Sequence, residues 1–230
     1  MNFAVGEERE GGYYWTIVAD IAVSLFLVFI LFLVLQHVRS VEVVLVNQIL
    51  MRRQHALAES LQEVLRAQPG DSAAVRIESI APDRQRLRFS TDVLFRTCGT
   101  ELRREGNEIL RRAGEVLRHE GLEAGYLESI RVDGHTDVRP TGGENCPYTS
   151  NWELSTMRAT AVVHLLENEA GIPGAKLSAT GQAQYHPVAE SMDPVSLALN
   201  RRIEITIQYD HRNVLETLRA DSSERTSARS

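Results

Sequence analysis

Trp15 to Leu35 is a run of 21 residues that contains one ionisable side chain, Asp20. As a helix rising about 1.5 Å per residue, the run reaches about 31 Å, close to the hydrocarbon thickness of a bilayer. It therefore predicts a transmembrane helix over 15–35. A carboxylate near the centre of such a helix costs on the order of 2.5–3.5 kcal/mol on insertion scales. Proton uptake removes most of that cost. Residues of this kind face a partner or a water path and serve proton or ion transfer. The competing reading is an interfacial Asp that snorkels or caps the helix start, because Asp20 lies early in the run. Thr16, Asp20 and Ser24 are spaced four apart and share one helical face. Their oxygens suit a proton path, a sodium ion or helix–helix hydrogen bonds. Phe29 and Phe32, on the opposite side with many Leu and Val, suit lipid or a partner.

The flanks favour a retained anchor over a signal peptide. The leader Glu7-Glu8-Arg9-Glu10 is acidic, and the run is too long for a signal core. No small-residue cleavage site follows, since the next residues are Gln36-His37-Val38-Arg39. Tyr13, Tyr14 and Trp15 read as an interfacial aromatic anchor. Arg39, Arg52 and Arg53 follow the run while only Arg9 precedes it. Taken alone, that places the C-terminal side in the cytoplasm, but a large domain crosses regardless of flank charge.

The chain has 230 residues and a net charge of −6, with no basic block, which argues against nucleic acid as a partner. Residues 1–14 form a polar leader, expected to be cytoplasmic, and 36–70 a helical linker. In the linker, Leu57, Leu61, Val64 and Leu65 give an apolar stripe, for a dimeric coil or for packing on the next domain. Val41–Val46 reads as helix or strand. Pro69-Gly70-Asp71 ends the linker.

Residues 71–210 read as one α/β domain. Val75–Ile80 and Arg86–Phe89 alternate around a Pro82-Asp83 turn, a hairpin. Glu101–Glu120 and Asn151–Ala170 are amphipathic helices, stopped by Gly121 and by Gly171 with Pro173. Ser129–Asp133, Leu177–Thr180 and Arg201–Tyr209 read as strands. The fold class is α+β: a single N-terminal transmembrane helix, a helical linker and an α/β sandwich. The tail 211–230 turns to Ser, Arg, Glu and Thr and is expected to be disordered. No nucleotide loop, zinc spacing or nucleophile elbow appears. His135 has no nucleophile paired with it in sequence, so no enzyme, cofactor or metal is expected.

Three motifs follow in order: Gly134-His135-Thr136-Asp137 after a strand, Asn151-Trp152-Glu153-Leu154-Ser155 with Arg158-Ala159 on a helix, and Asn200-Arg201-Arg202-Ile203-Glu204 opening the last strand. Together, over about Val75 to Tyr209, they resemble the OmpA-like peptidoglycan-binding family, and in the Asn-Trp-Glu-Leu-Ser form its MotB branch. A diaminopimelate head carries an ammonium and a carboxylate on one carbon. The resemblance implies that Asp137 accepts from the ammonium and Arg158 grips the carboxylate in a fork. Thr136 and Asn151 would line the site. One of Arg201 and Arg202 would line it too, taken as Arg201, with the other on a solvated face. The alternative is a structural Asp137–Arg158 ion pair, and Asn151 reads as a helix N-cap either way.

The chain departs from the family in the insert Val138–Ser150. The family fold would bring its Cys146 near Cys98, and a disulfide between them is expected outside the cytoplasm.

With the span, the whole plan resembles MotB-type stator subunits of ion-driven motors and the related ZorB subunit of Zorya anti-phage systems. The resemblance implies Asp20 as ion carrier, with Thr16 and Ser24 supporting the path. It also implies two copies within a ring of five MotA- or ZorA-like multi-span partners. The orientation implied is a cytoplasmic N-terminus and a periplasmic wall-binding domain in the bacterial inner membrane. The rivals are a passive peptidoglycan tether, a flagellar stator subunit, and a scaffold that uses the same wall domain.

Overall fold

Five strands in the spatial order Val75–Ala81, Arg84–Ser90, Arg202–Tyr209, Leu127–His135, Leu177–Ala183 place the last strand of the sequence at the centre of the sheet. The computed structural model describes residues 8–66, 75–142 and 146–216. The expected leader residues 1–7, the Pro69-Gly70-Asp71 stop and the tail 217–230 lie outside them.

The chain divides into two units, Met1–Leu45 and Val46–Ser230. Helix α1 spans Glu8–Arg66. In the first unit it is long and apolar enough to cross a membrane. Val41–Val46 is helical, which settles the ambiguity of that segment.

The second unit begins inside α1. Val46, Leu50, Leu57 and Leu61 are buried in the core, so the linker's apolar stripe packs on the domain. Gln54 fixes the docking. Its Nε2 donates to the carbonyls of Ala81 and Pro82, both at 2.8 Å, and its Oε1 accepts from Ser79 Oγ at 2.6 Å.

Strands β1 (Val75–Ala81) and β2 (Arg84–Ser90) form the expected hairpin. β2 then pairs antiparallel with β5 (Arg202–Tyr209). Alternation divides the two faces. Leu87, Phe89, Ile203, Ile205, Ile207 and Tyr209 are core. The intervening Arg86 and Arg88 pair with Glu204 at 3.1 and 3.2 Å.

A short helix α2 (Thr91–Leu94) leads to α3 (Arg104–Val116). α3 starts three residues later than the periodicity suggests, because Leu102 pairs with Phe95 in a bridge. It widens into π-helical turns over Leu117–Glu123, past Gly121. β3 (Leu127–His135), α4 (Asn151–Asn168) and β4 (Leu177–Ala183) form a parallel crossover. Helix α5 (Pro194–Asn200) has no counterpart in the sequence reading. Seven residues are too short for a helical stripe, although Asp193-Pro194 is a helix-start signal. Asp193 Oδ1 accepts from the main-chain N–H of Val195 and Ser196, at 2.9 and 3.1 Å. Residues 211–216 are helical rather than disordered, and Val214 is buried.

Two glycines set how closely α4 lies on the sheet. A Cβ at Gly134 would sit 2.1 Å from the Ser155 carbonyl oxygen. A Cβ at Gly181 would sit 2.1 Å from Thr156 Oγ1. Both strands can therefore approach the first turns of α4, where the second motif lies.

Candidate functional site

The close α4–β3 contact brings Asn151, Ser155 and Arg158 to the end of β3, where Thr136 and Asp137 leave the sheet. Ser155 ties the two layers: its Oγ accepts from Ala183 N–H at 3.2 Å and donates to the Trp152 carbonyl at 3.1 Å. Asn200 holds the loop after β4, accepting from Val188 and Ala189 N–H and donating to the Ala189 carbonyl. That places Arg201 beside Asp137. The result is a cleft of about 880 Å³. Its charged lining is Asp92, Asp137, Arg139, Arg158 and Arg201.

Asp137 is 5% exposed and never meets Arg158. Its Oδ1 accepts from Arg139 N–H at 3.0 Å, and its Oδ2 accepts from Arg139 Nε at 3.0 Å and Nη2 at 2.5 Å. Arg201 Nη1 adds a fourth bond to the carboxylate, the third on Oδ2, at 3.0 Å. Burial pushes the Asp137 carboxyl up, but the Arg139 and Arg201 bonds outweigh it and hold it below the usual carboxylate range. Arg201 also donates to Asp92, at 2.5 and 3.1 Å. The Asp92 bond, against burial, raises its already high pKa.

Arg158, also 5% exposed, is held differently. Its Nε donates to the Gly99 carbonyl at 2.9 Å and its Nη2 to the Arg96 carbonyl at 3.4 Å. Its guanidinium lies 5.5 Å from the Phe95 ring centroid. Among the described residues no carboxylate lies within 4 Å of it. Burial pushes it down to about 10, so it stays charged at neutral pH. The structural-pair alternative for Asp137 and Arg158 is thus not what the geometry shows. Among the described residues, three guanidiniums face two carboxylates in the cleft, one cation more than the acids.

Asn151 does not cap α4. Ser150 does, accepting from Glu153 N–H at 3.2 Å, while Glu153 accepts from Thr149 N–H at 2.8 Å. Ser150 is the residue in extended backbone, so its hydroxyl reaches the free N–H groups. Asn151 Nδ2 instead donates to the carbonyls of Arg139 and Asp137, at 3.0 and 3.4 Å. Thr136 Oγ1 is buried and has no hydrogen-bond partner among the described residues.

The Cys98–Cys146 disulfide joins the α2–α3 loop to the insert, with Cα atoms 5.4 Å apart. Thr100 Oγ1 and Tyr148 OH, 2.7 Å apart, add a second tie. Residues 143–145 of the insert lie outside the described residues.

Arg202 is buried rather than on a solvated face. It donates to Glu204 at 2.7 Å, where Arg86 and Arg88 also converge. His135 lies there too, away from the cleft. Burial and the Arg202 charge push its imidazole down to about 3.

The sequence reading missed Asp92 and Arg139. Arg139 follows Asp137 by two residues, a spacing that could have pointed to it. Asp92 carries no such signal. Thr16, Asp20 and Ser24 fall on successive turns of α1 in the other unit, each exposed.

An open sheet crossed by α4, with a charged cleft at the β3–α4 junction, defines an OmpA-like domain. Residues 94–201 match the OmpA family. Motility protein B of Bacillus subtilis is 37% identical over 79 residues, which cover 34% of this chain and 30% of that protein. The chain spans a third or less of the length of the curated relatives it matches. Among solved structures, the cell wall anchor of the T6SS from Pseudomonas aeruginosa is 32% identical with a TM-score of 0.56, over 67% of this chain and 97% of that one. A MotB-like protein from Desulfovibrio vulgaris has a TM-score of 0.61 at 22% identity, over 71% and 99%, and shares the fold. The chain belongs to the OmpA family, with MotB-like proteins among those it resembles in sequence and fold.

Proposed function

We propose that this chain is a single-pass inner-membrane subunit that grips peptidoglycan through its periplasmic domain, while Asp20 carries ions in the membrane beside a MotA- or ZorA-like partner. One observation carries the anchoring half. Asp137 and Arg158, both buried, line one cleft without neutralising each other. A ligand that presents an ammonium beside a carboxylate satisfies both. The third guanidinium of the described lining and the Thr136 hydroxyl beside it suit the same ligand. Asn151 and Arg201 shape the site, and the Cys98–Cys146 bridge holds its rim. The anchor test is the double change Asp137→Ala and Arg158→Ala. Pulldown on purified sacculi should be abolished, and retained binding by the folded variant refutes the assignment.

The stator half rests on Asp20 in the apolar helix, with Thr16 and Ser24 on its face, and on the likeness to motility protein B. By that resemblance two copies stand within a ring of five partner subunits, and the anchored dimer holds still while ions pass. One charge crossing 100 mV releases about 2.3 kcal/mol. Asp20→Asn in cells that carry the partner tests this: ion-dependent function that survives unchanged removes Asp20 as carrier. A Zorya-type defence role calls for an anti-phage nuclease or helicase gene alongside.

A second reading is a passive tether. The 32% identity with the cell wall anchor of the T6SS favours it. A neighbouring gene for a multi-span partner supports the stator, and its absence supports the tether.

A further inference from the structure

Arg139 is the charged side chain that the described part of the insert brings to the cleft, and its main chain and side chain behave differently. The main chain is fixed: its N–H donates to Asp137 at 3.0 Å and its carbonyl accepts from Asn151 at 3.0 Å. The side chain is 59% exposed, yet two of its N–H groups bond Oδ2 of a carboxylate that is only 6% exposed. Arg201 is the other guanidinium on Asp137, but it is shared with Asp92 and 23% exposed. Arg139 is therefore the donor that can leave at least cost, by swinging into water on a fixed backbone.

We propose that Arg139 is the specificity-determining residue of the cleft: it holds Asp137 as an internal counter-ion and yields only to a ligand that carries a carboxylate next to its ammonium. This rests on the peptidoglycan reading of the site and deepens it. A ligand with a lone ammonium, such as a lysine side chain, must break the Arg139–Asp137 fork and leaves the guanidinium with water alone. A ligand with both groups gives its ammonium to Asp137 and its carboxylate to the released Arg139, next to Arg158. The first exchange trades one charge-assisted pair for another, whereas the second adds a pair. Arg139 thus rejects the single cation and admits the zwitterion.

The test is calorimetric titration of the full chain in detergent micelles with meso-diaminopimelate and, separately, with L-lysine blocked at its α-amino and α-carboxyl groups. Arg139→Gln removes the counter-ion and keeps the main-chain bonds, and Arg139→Lys restores a cation. Glutamine should raise affinity for the blocked lysine by about tenfold, the scale of one charge-assisted pair. Affinity for diaminopimelate should change less, so that the preference between the two narrows. The lysine variant should recover part of that preference. If diaminopimelate binds the unaltered chain and glutamine leaves the preference unchanged or wider, this inference falls and the peptidoglycan reading stands. If neither the unaltered chain nor the glutamine variant binds diaminopimelate, both fall.

Discussion

Replacing Arg158 by Met separates a binding role from a structural one. Pushed down to about 10 by burial, the guanidinium carries a charging cost of about 3 kcal/mol in the folded chain. Methionine removes that cost and keeps apolar contact with Phe95. Against this, the carbonyls of Gly99 and Arg96 lose their donors. A carbonyl left unpaired costs about 1–3 kcal/mol. Here Arg96 is exposed and Gly99 half-buried, so water reaches them and the cost stays near about 1 kcal/mol each. The gain and the losses nearly cancel. Arg158→Met should therefore change unfolding free energy by no more than about 1 kcal/mol, in the stabilising direction if either. Sacculus binding, in contrast, loses a bidentate carboxylate contact and should fall about ten- to a hundredfold. Urea unfolding followed by circular dichroism and a sacculus-binding isotherm measure the two. A variant destabilised by more than about 3 kcal/mol that still binds would show that Arg158 braces the loop and does not hold ligand.

Three further outcomes follow from the same geometry. His135 is neutral in the fold, at about 3 against 6.5 when unfolded, so the unfolded chain binds the extra proton between those values. Its contribution is complete above pH 6.5 and shrinks as pH falls, by about 2 kcal/mol at pH 5. His135→Gln should flatten that part of the urea-midpoint profile, and an unchanged profile would contradict the assignment. Changing Cys98 and Cys146 together to Ser opens a bridge over a sequence separation of 48, at a cost of about 2–4 kcal/mol in thermal or urea unfolding. Sacculus binding should weaken as well, because the bridge holds the insert that bears Arg139; binding at full strength would show that the bridge only stabilises. Gly134→Ala places a methyl 2.1 Å from the Ser155 carbonyl, so α4 must lift. A loss of at least about 1–3 kcal/mol in stability is expected, together with loss of sacculus binding; a variant of native stability would mean that α4 does not press on β3 there.

Short-range pattern made much of this chain legible. The apolar run, the hairpin around Pro82-Asp83 and the alternation from Ile203 to Tyr209 are written in neighbouring residues, because a helix or strand repeats its faces every few positions. The three motifs, and the residues Thr136, Asp137, Asn151, Arg158 and Arg201 taken from them, could also be read from the sequence, and all five line the cleft or its wall. Which groups meet was not legible. Arg201 reaches Asp137 across 64 positions and Asp92 across 109. The partners of Arg158 lie 59 and 62 positions away. Nor does the stripe at Leu57 and Leu61 announce whether it meets a second copy or its own sheet, since any apolar partner satisfies it equally. Local periodicity fixes which side of an element is apolar. Only the assembled sheet, with Gly134 admitting α4, decided which charge pairs with which, because that depends on distances between segments that the sequence keeps far apart.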